Sequence, residues 1–188
     1  MKSVERLISV LAFASMALGF VPATAQSGFP LKATASISGC TDPTITGMAV
    51  FTEKPSEEGV KIVDVTIVVQ GLPPGKHAVH IHEVGVCTPC AAAGGHFDPG
   101  PAGLSSPDGN HPFHAGDLVN LEVNGTGAGT MHTTTSRVSL SAGPLSVFDL
   151  NGSAIIIHAN ADSYCPHGAE AGCAGGPRQA CGVVQLSR

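Results

Sequence analysis

The sequence predicts an all-β protein, and three observations support this. No long stretch carries apolar residues at the 3.6-residue spacing of an amphipathic helix. Segments in which polar and apolar residues alternate, rich in β-branched side chains, dominate instead. The 24 glycines and 14 prolines interrupt the chain every few residues, which favours short strands joined by turns. Together these features indicate a closed or sandwiched antiparallel sheet.

Eight strands are predicted from the alternating segments. Their ranges are 31–38, 45–53, 60–70, 76–83, 117–123, 128–140, 153–159 and 180–186. Two connections are long, 84–116 and 160–179, and loops of this length without their own secondary structure are usually functional or disordered. These two loops hold four of the nine histidines and four of the six cysteines, which favours ordered loops with a function.

The first 25 residues have the layout of a secretory signal peptide. Lys2 and Arg6 precede an apolar run that ends in small residues, which predicts cleavage after Ala25. The run is shorter than a membrane-spanning helix requires. We therefore expect a signal peptide over residues 1–25 and one secreted or periplasmic domain over residues 26–188.

The charge balance argues against two classes of partner. The whole chain carries a net charge of −5, and because Lys2, Arg6 and Glu5 lie in the leader, the exported part carries −6. An acidic protein of this kind is expected to bind neither nucleic acid nor an anionic membrane. The sequence leaves the oligomeric state open, and a homodimer is among the states it allows.

All six cysteines follow the predicted cleavage point, and an oxidising compartment lets thiols pair. A thiolate zinc site, the alternative, needs two close cysteine pairs. Cys87 and Cys90 form one close pair, but Cys165 and Cys173 are eight residues apart and do not supply the second. Disulfides are therefore expected, although the sequence does not determine which cysteines pair.

Two histidines on one predicted strand indicate a metal site. In HAVHIHE, residues 77–83, the two-residue period of a strand places His80 and His82 on one face and the apolar residues between them on the other. Two imidazoles on one face can converge on one ion, whereas a solvated polar face is the alternative interpretation. His77 shares the parity of the apolar residues, so we expect it to point inward and to make a structural hydrogen bond.

Further candidate ligands lie in and beside the long loops. They are His96, His111, His114, Asp117 and, at the end of the isoleucine-rich segment AIIIH, His158. Imidazoles suit both copper and zinc, while a carboxylate suits zinc better than Cu(I). The composition therefore predicts a histidine-only site that can change redox state beside a mixed histidine and aspartate site that is structural.

Five motifs resemble the copper/zinc superoxide dismutase family, in the family's order along the chain. They are HAVHIHEVGVC, GGHFDP, HAGDL, IIIHANAD and GGPRQACGVV. The resemblance covers nearly the whole exported part and implies an eight-stranded antiparallel Greek-key barrel, of the immunoglobulin-like sandwich class, with two long functional loops. It also implies that copper, alternating between Cu(II) and Cu(I), converts the substrate superoxide into dioxygen and hydrogen peroxide.

The resemblance implies two metal sites that share one histidine. The implied copper ligands are His80, His82, His96 and His158. His96 is also the implied bridge to zinc, with an imidazole that gains a proton when the copper is reduced and so takes part in catalysis. His114 and Asp117 are the implied zinc ligands.

The resemblance also assigns roles to residues around the metals. Arg178 matches the arginine beside the copper, where a guanidinium attracts and orients a small anion; an exposed surface arginine is the alternative. Asp162 matches an aspartate that hydrogen-bonds ligands of both metals. His77 is expected to support the metal ligands through its structural hydrogen bond without binding metal itself.

The family disulfide corresponds to Cys87 and Cys181, which ties the first long loop to the barrel. Cys165 and Cys173 are then expected to pair within the second long loop. This leaves Cys40 and Cys90 for a third bridge.

Two features depart from the family pattern. A further zinc histidine is expected about eight residues after His96, but position 104 is a leucine. His111 is the only nearby candidate for a fourth zinc ligand, and an exposed loop histidine is the alternative. The second long loop contains no lysine, so Arg178 stands nearly alone as an attractor of superoxide.

Three functions are consistent with these residues. The first is a copper-dependent superoxide dismutase with a modified zinc site. The second is a copper-only superoxide dismutase, and the third is a non-catalytic barrel that binds and buffers copper.

Overall fold

The computed structural model describes residues 30–55, 59–100 and 107–187. The predicted signal peptide with its cleavage point after Ala25 lies outside these residues, and so does Leu104. Among the described residues, none of the helical segments has the length and apolar character needed to cross a bilayer.

Ten strands and one short 3-10 helix make up the described part of the chain. In order they are β1 Leu31–Gly39, β2 Thr46–Pro55, β3 Lys61–Gln70, β4 Gly75–His77, β5 Val79–His82, the 3-10 helix Cys90–Ala93, β6 Leu121–Val123, β7 Gly129–Thr135, β8 Ala154–His158, β9 Arg178–Val183 and β10 Gln185–Leu186. The prediction of an all-β fold is confirmed.

The strands form one antiparallel sheet that curls into a nearly closed barrel. Its order is β4-β6-β7-β3-β2-β1-β9-β8-β5, with β10 paired to β1. The neighbours β3 with β7 and β1 with β9 are distant in the chain, as the crossing connections of a Greek key require. The two ends of the sheet, β4 and β5, are separated in the chain by Ala78 alone, so the ends of the sheet meet there.

The prediction of one continuous strand over 76–83 was wrong, because the chain changes partners at Ala78. β4 pairs with β6, whereas β5 pairs with β8. Between them, the Ala78 N–H donates to the Asn160 carbonyl and the Ala78 carbonyl accepts from the His158 N–H. The last predicted strand is interrupted in the same way, as β9 and β10, so eight strand segments remain if each interrupted strand is counted once.

The predicted strands over 117–123 and 128–140 are shorter in the structure. β6 begins at Leu121, and Asp117 makes only an isolated bridge to His80. β7 ends at Thr135, and the N–H groups that follow find acceptors outside the sheet ladder: that of Arg137 donates to Thr135 Oγ1 and that of Ser139 to the Leu145 carbonyl.

The core follows the strand alternation in β1 and β3, whereas β5 and β8 are buried on both faces and β9 is buried on both faces over its middle residues. In β3 every second side chain is buried, from Val63 to Val69. In β5, Val79 and Ile81 belong to the apolar core, yet His80 and His82 on the opposite face are also buried. Loop segments pair with the edge of β5, since His82 bridges to His96 and His80 to Asp117, and the rings of His96 and His111 pack against that of His80 on the outer face. The histidine face of β5 is therefore enclosed between barrel and loop.

The Glu53 carboxylate accepts two backbone hydrogen bonds from the segment that follows β7, and their contribution to stability can be tested. The Glu53 side chain is buried, and Oε2 accepts from the N–H groups of Leu140 at 2.6 Å and Ser141 at 2.9 Å. Burial opposes ionisation, but these hydrogen bonds outweigh it and lower the pKa of Glu53. We expect Glu53→Ala to lower the free energy of unfolding by about 1–3 kcal/mol, since two N–H groups in buried surroundings lose their acceptor.

Urea denaturation of chelator-treated protein at pH 7 measures this loss. Glu53→Gln is the matched control, because its amide oxygen can still accept one hydrogen bond, and it should lose less stability. Equal losses in the two variants would contradict the role assigned to these hydrogen bonds.

Candidate metal centre

The four histidines of the predicted copper site come together behind β5. One ring nitrogen from each lies within 4.8 Å of the others in the group His80, His82, His96 and His158. Two come from β5, one from the first long loop and one from the end of β8. All four side chains are at most 3% exposed. The antiparallel pairing of β5 with β8 and the bridge from His82 to His96 bring them together.

In three of these rings, one nitrogen donates a hydrogen bond that fixes the orientation of the ring. The other nitrogen of the same neutral ring then carries a free lone pair. The hydrogen bonds are His80 Nε2 to Asp162 Oδ2 at 2.9 Å, His82 Nδ1 to Gly94 O at 3.1 Å and His158 Nδ1 to Gly176 O at 2.8 Å. The remaining nitrogens of His80 and His158 then face each other at 3.1 Å, both as acceptors. Within the described residues, His82 Nε2 has no hydrogen-bond partner. A bound cation satisfies all three lone pairs, so the donor set fits copper.

Burial keeps these rings in the form that binds metal. It lowers the pKa of His80 to about 3 and that of His158 to about 4. The pKa values of His82 and His96 are lowered by burial as well. Neutral imidazoles, not imidazolium ions, therefore face the centre of the cluster at pH 7.

The second cluster is built around the carboxylate of Asp117. Its Oδ1 lies 2.6 Å from His96 Nδ1, and its Oδ2 lies 3.1 Å from His111 Nδ1 and 3.2 Å from His114 Nδ1. All four side chains are buried. Three imidazoles and one carboxylate are a donor set that suits a tetrahedral zinc ion. His111 lies inside this cluster, so the alternative of an exposed loop histidine is wrong.

Asp162 connects the two clusters. Its Oδ2 accepts a hydrogen bond from His80 of the first cluster, the four histidines, and lies 2.6 Å from His111 Nε2 of the second cluster. Burial alone would lower the pKa of His111, but Asp117 and Asp162 outweigh it and raise that pKa to about 9. The same contacts lower the pKa of each aspartate despite burial.

Comparisons with known proteins agree with this geometry. Residues 45–184 match the family model described as copper/zinc superoxide dismutase. The superoxide dismutase [Cu-Zn] of Deinococcus radiodurans is 39% identical over an alignment of 155 residues that covers 75% of this chain and 78% of that protein. The chain belongs to the copper/zinc superoxide dismutase family. Membership makes it an oxidoreductase of the superoxide dismutase type, with copper and zinc as its cofactors.

A solved structure with the same fold is the crystal structure of the clock protein EA4. It is 29% identical to this chain, with a TM-score of 0.64, and the match covers 92% of this chain and 100% of the other.

In this superoxide dismutase, the Arg178 side chain lies beside the first cluster and is held by backbone carbonyls. Its guanidinium Nη1 donates to the carbonyls of Cys90 at 2.7 Å and Ala91 at 3.1 Å, and Nη2 donates to that of Gly94. The Gly94 carbonyl also accepts a hydrogen bond from His82, so the guanidinium and one ring of the first cluster share an acceptor. A cavity of about 140 Å³, large enough for a small anion, is lined by Arg178 and His158.

His77 lies outside both clusters and contacts backbone carbonyls instead. Its Nδ1 is 2.7 Å from the carbonyl of His158, and its Nε2 is 2.8 Å from that of Pro73. The side chain is buried, as its parity on the strand predicts. His77 therefore holds the backbone of His158, which is both the last residue of β8 and a candidate copper ligand.

All three expected disulfides are present in the structure. They join Cys40 to Cys90, Cys87 to Cys181 and Cys165 to Cys173.

Three further residues contact the site without any signal in the sequence pattern. Asn120 accepts from the N–H of Asp162 at 2.7 Å and donates to its carbonyl at 3.0 Å. The backbone N–H of Tyr164 donates to the carboxylate of Asp162. The Tyr164 ring is nearly parallel to the His111 ring, at a centroid distance of 6.4 Å. Arg137 donates to the carbonyls of Pro112 and Asp117. These residues hold the backbone on which the second cluster is built.

The contacts of His111 predict a pH dependence. A histidine whose pKa is raised on folding contributes stability that is fully present below its unfolded pKa, about 6.5, and is lost as the pH rises through its folded pKa. For His111 that upper limit is about 9. In chelator-treated protein, we expect the stability difference between wild type and His111→Gln to be largest below about pH 6.5, to shrink as the pH rises toward about 9, and to be lost above that.

Urea denaturation at a series of pH values measures this difference. His132→Gln removes an exposed histidine of β7 and serves as the control, which should show no such trend. A difference for His111→Gln that stays constant from pH 6 to pH 10 would contradict the ion pairs.

Proposed function

We propose that this protein is an exported, copper-dependent superoxide dismutase whose zinc site is completed by His111. The observation that carries the proposal is the position of His111, buried between Asp117 and Asp162 although the family position at 104 is a leucine. The reaction converts two superoxide anions and two protons into dioxygen and hydrogen peroxide.

The copper ligands in this proposal are His80, His82, His96 and His158. Copper, when bound there, supplies the one-electron chemistry by alternating between Cu(II) and Cu(I). The hydrogen bonds to the outer nitrogens keep the rings turned toward the centre, so little reorganisation is needed on binding. His96 holds a proton of the reaction at Nε2, which is buried and has no protein partner among the residues described.

Arg178 is the residue that draws the substrate in. The exported part is acidic, so the chain as a whole repels superoxide, and a local cation is needed to reverse this. Three carbonyl acceptors fix the guanidinium beside the cavity next to His158, which orients the anion as well as attracting it.

The zinc ligands in this proposal are His96, His111, His114 and Asp117. Zinc prefers a closed tetrahedral site of four ligands when its role is structural. The Nδ1 atoms of the three histidines all approach the Asp117 carboxylate, which supports His111 as the fourth ligand. Asp162 and His77 support two copper ligands instead, through hydrogen bonds to the His80 ring and to the His158 carbonyl.

The three disulfides support an exported location, secreted or periplasmic. Structural disulfides persist in oxidising compartments and are rare in the cytosol. The signal-like residues 1–25 point the same way.

The copper-loaded protein should consume superoxide, and two variants separate the roles of its residues. His158→Ala is expected to lose copper and activity together. Arg178→Ala is expected to keep its copper but to lose about tenfold or more in kcat/KM at low salt, with a smaller loss at high salt because electrostatic attraction is screened. Metal analysis and superoxide decay at several ionic strengths measure both effects.

His167→Ala, in an exposed position of the second long loop, is the control and should match wild type. Wild-type protein that holds copper at these histidines but does not consume superoxide would overturn the enzyme in favour of a copper-buffering barrel.

The zinc site has its own test. We expect His111→Ala to weaken zinc binding by more than the roughly 10–100-fold that the loss of a supporting hydrogen-bond partner costs, because a direct ligand is removed. Competition with a chromophoric chelator measures the affinity, and the visible absorption of bound Co²⁺ reports whether the site is tetrahedral. His114→Ala should show a similar loss, and His132→Ala should show none. Unchanged zinc affinity in His111→Ala would remove His111 from the site, whereas wild-type protein that binds copper but no zinc would favour the copper-only enzyme.

A further inference from the structure

The backbone of Cys40 is fixed to the strand that carries Arg178. Cys40 follows β1 directly, and its N–H donates to the carbonyl of Gln179 at 2.8 Å. The preceding residue, Gly39, is paired with Ala180 across β1 and β9. The position of Cys40 is therefore set by the residue next to Arg178 in the chain.

Cys90 provides the acceptor for the guanidinium of Arg178. It is the first residue of the 3-10 helix Cys90–Ala93, and its carbonyl accepts from Arg178 Nη1 at 2.7 Å. The helix and the glycine after it also supply the other two acceptors, the carbonyls of Ala91 and Gly94. Where this short helix lies thus decides where the guanidinium lies.

The disulfide between Cys40 and Cys90 closes a ring that contains Arg178. The ring runs from the Arg178 side chain to the Cys90 carbonyl, through the disulfide to Cys40, and from the Cys40 N–H to the carbonyl of Gln179, which is bonded to Arg178. Every link is a covalent bond or a direct hydrogen bond. The acceptors of the guanidinium are consequently held relative to its own backbone.

We propose that the Cys40–Cys90 disulfide positions the Arg178 guanidinium for the substrate anion, an inference that rests on the proposed function. The other nearby bridge, from Cys87 to Cys181, attaches the loop to β9 three residues before Cys90. The end of the short helix is held by the Val84 N–H, which donates to the Ala93 carbonyl at 3.0 Å. The attachment at Cys90 holds its first turn, whose carbonyls accept from Arg178, and this is the contribution of Cys40.

The shared acceptor at Gly94 carries this effect to the copper site. The Gly94 carbonyl receives hydrogen bonds from Arg178 and from His82 Nδ1. A pivot of the helix therefore changes the distance from the guanidinium to a candidate copper ligand as well as the direction in which the guanidinium points. Cys40 and Cys90 are positioning residues, since they act on the substrate anion through Arg178.

Azide binding to the Cu(II) form, followed by visible absorption, tests the proposal without relying on turnover. We expect Cys40→Ser/Cys90→Ser to weaken azide binding by about tenfold, less than the roughly 100-fold that a 1 Å misplacement of a reacting group can cost. Serine at both positions leaves no free thiol that could exchange with the other bridges. Phe51→Leu, a change in the barrel core, is the control for lost stability and should bind azide as wild type does.

A double-mutant cycle distinguishes positioning from a general structural role. In an Arg178→Ala background, removing the disulfide should have no further effect on azide affinity, because the disulfide acts through that side chain. Equal losses with and without Arg178 would overturn the proposal, and so would wild-type azide affinity in the disulfide variant.

Two further measurements keep these outcomes clear. If the serine pair does not fold, Cys40→Val/Cys90→Ala fills the same apolar pocket beside Ala154 and Ile156 and is put through the same cycle. Wild-type protein that binds copper and azide but does not consume superoxide would refute the proposed function, while the azide cycle would still decide the role of the disulfide.

Discussion

The buried carboxylate of Asp162 is the interaction on which the arrangement of both clusters depends. A carboxylate removed from water is stable only when its oxygens are fully paired. Here Oδ2 contacts His80 and His111, and Oδ1 accepts from the Tyr164 N–H. Asn120 holds the backbone of the same residue on both sides. The carboxylate thus fixes one ring of each cluster relative to the other, which is what a site with two neighbouring metals requires.

The way the barrel closes explains why a pair of histidines on a strand is fully buried. The sheet ends at β4 and β5, and the outer face of β5 would be exposed if strands alone made up the protein. The first long loop pairs with the free edge of β5 at the bridges from His82 to His96 and from His80 to Asp117, and its side chains then cover that face. Because those bridges use candidate ligands as the contact points, covering the strand and assembling the metal centre are the same structural event.

The sequence predicted which histidines share a strand face better than it predicted the connections between the strands. The two-residue period was enough to place His80 and His82 on one face, because parity along a strand is a local property. It could not locate the break at Ala78, because a break depends on which neighbouring strand each half joins. The alternating pattern also continued past Thr135, where the backbone N–H groups of Arg137 and Ser139 donate to Thr135 Oγ1 and to the Leu145 carbonyl instead of to a neighbouring strand. The role of Asn120 could not be predicted, because its contact with Asp162 joins residues 42 positions apart and no local pattern marks it.

The position of His111 follows from the same distinction between sequence spacing and spatial arrangement. A metal site needs ring nitrogens at fixed places, and it does not need them at fixed intervals along the chain. Arg137 holds the carbonyls of Pro112 and Asp117, so the segment between them is anchored at both ends. A histidine just before this anchored segment reaches both aspartates, even though the family position at 104 holds a leucine. The geometry therefore supports a complete ligand set where a comparison of motif positions alone indicates a defective one.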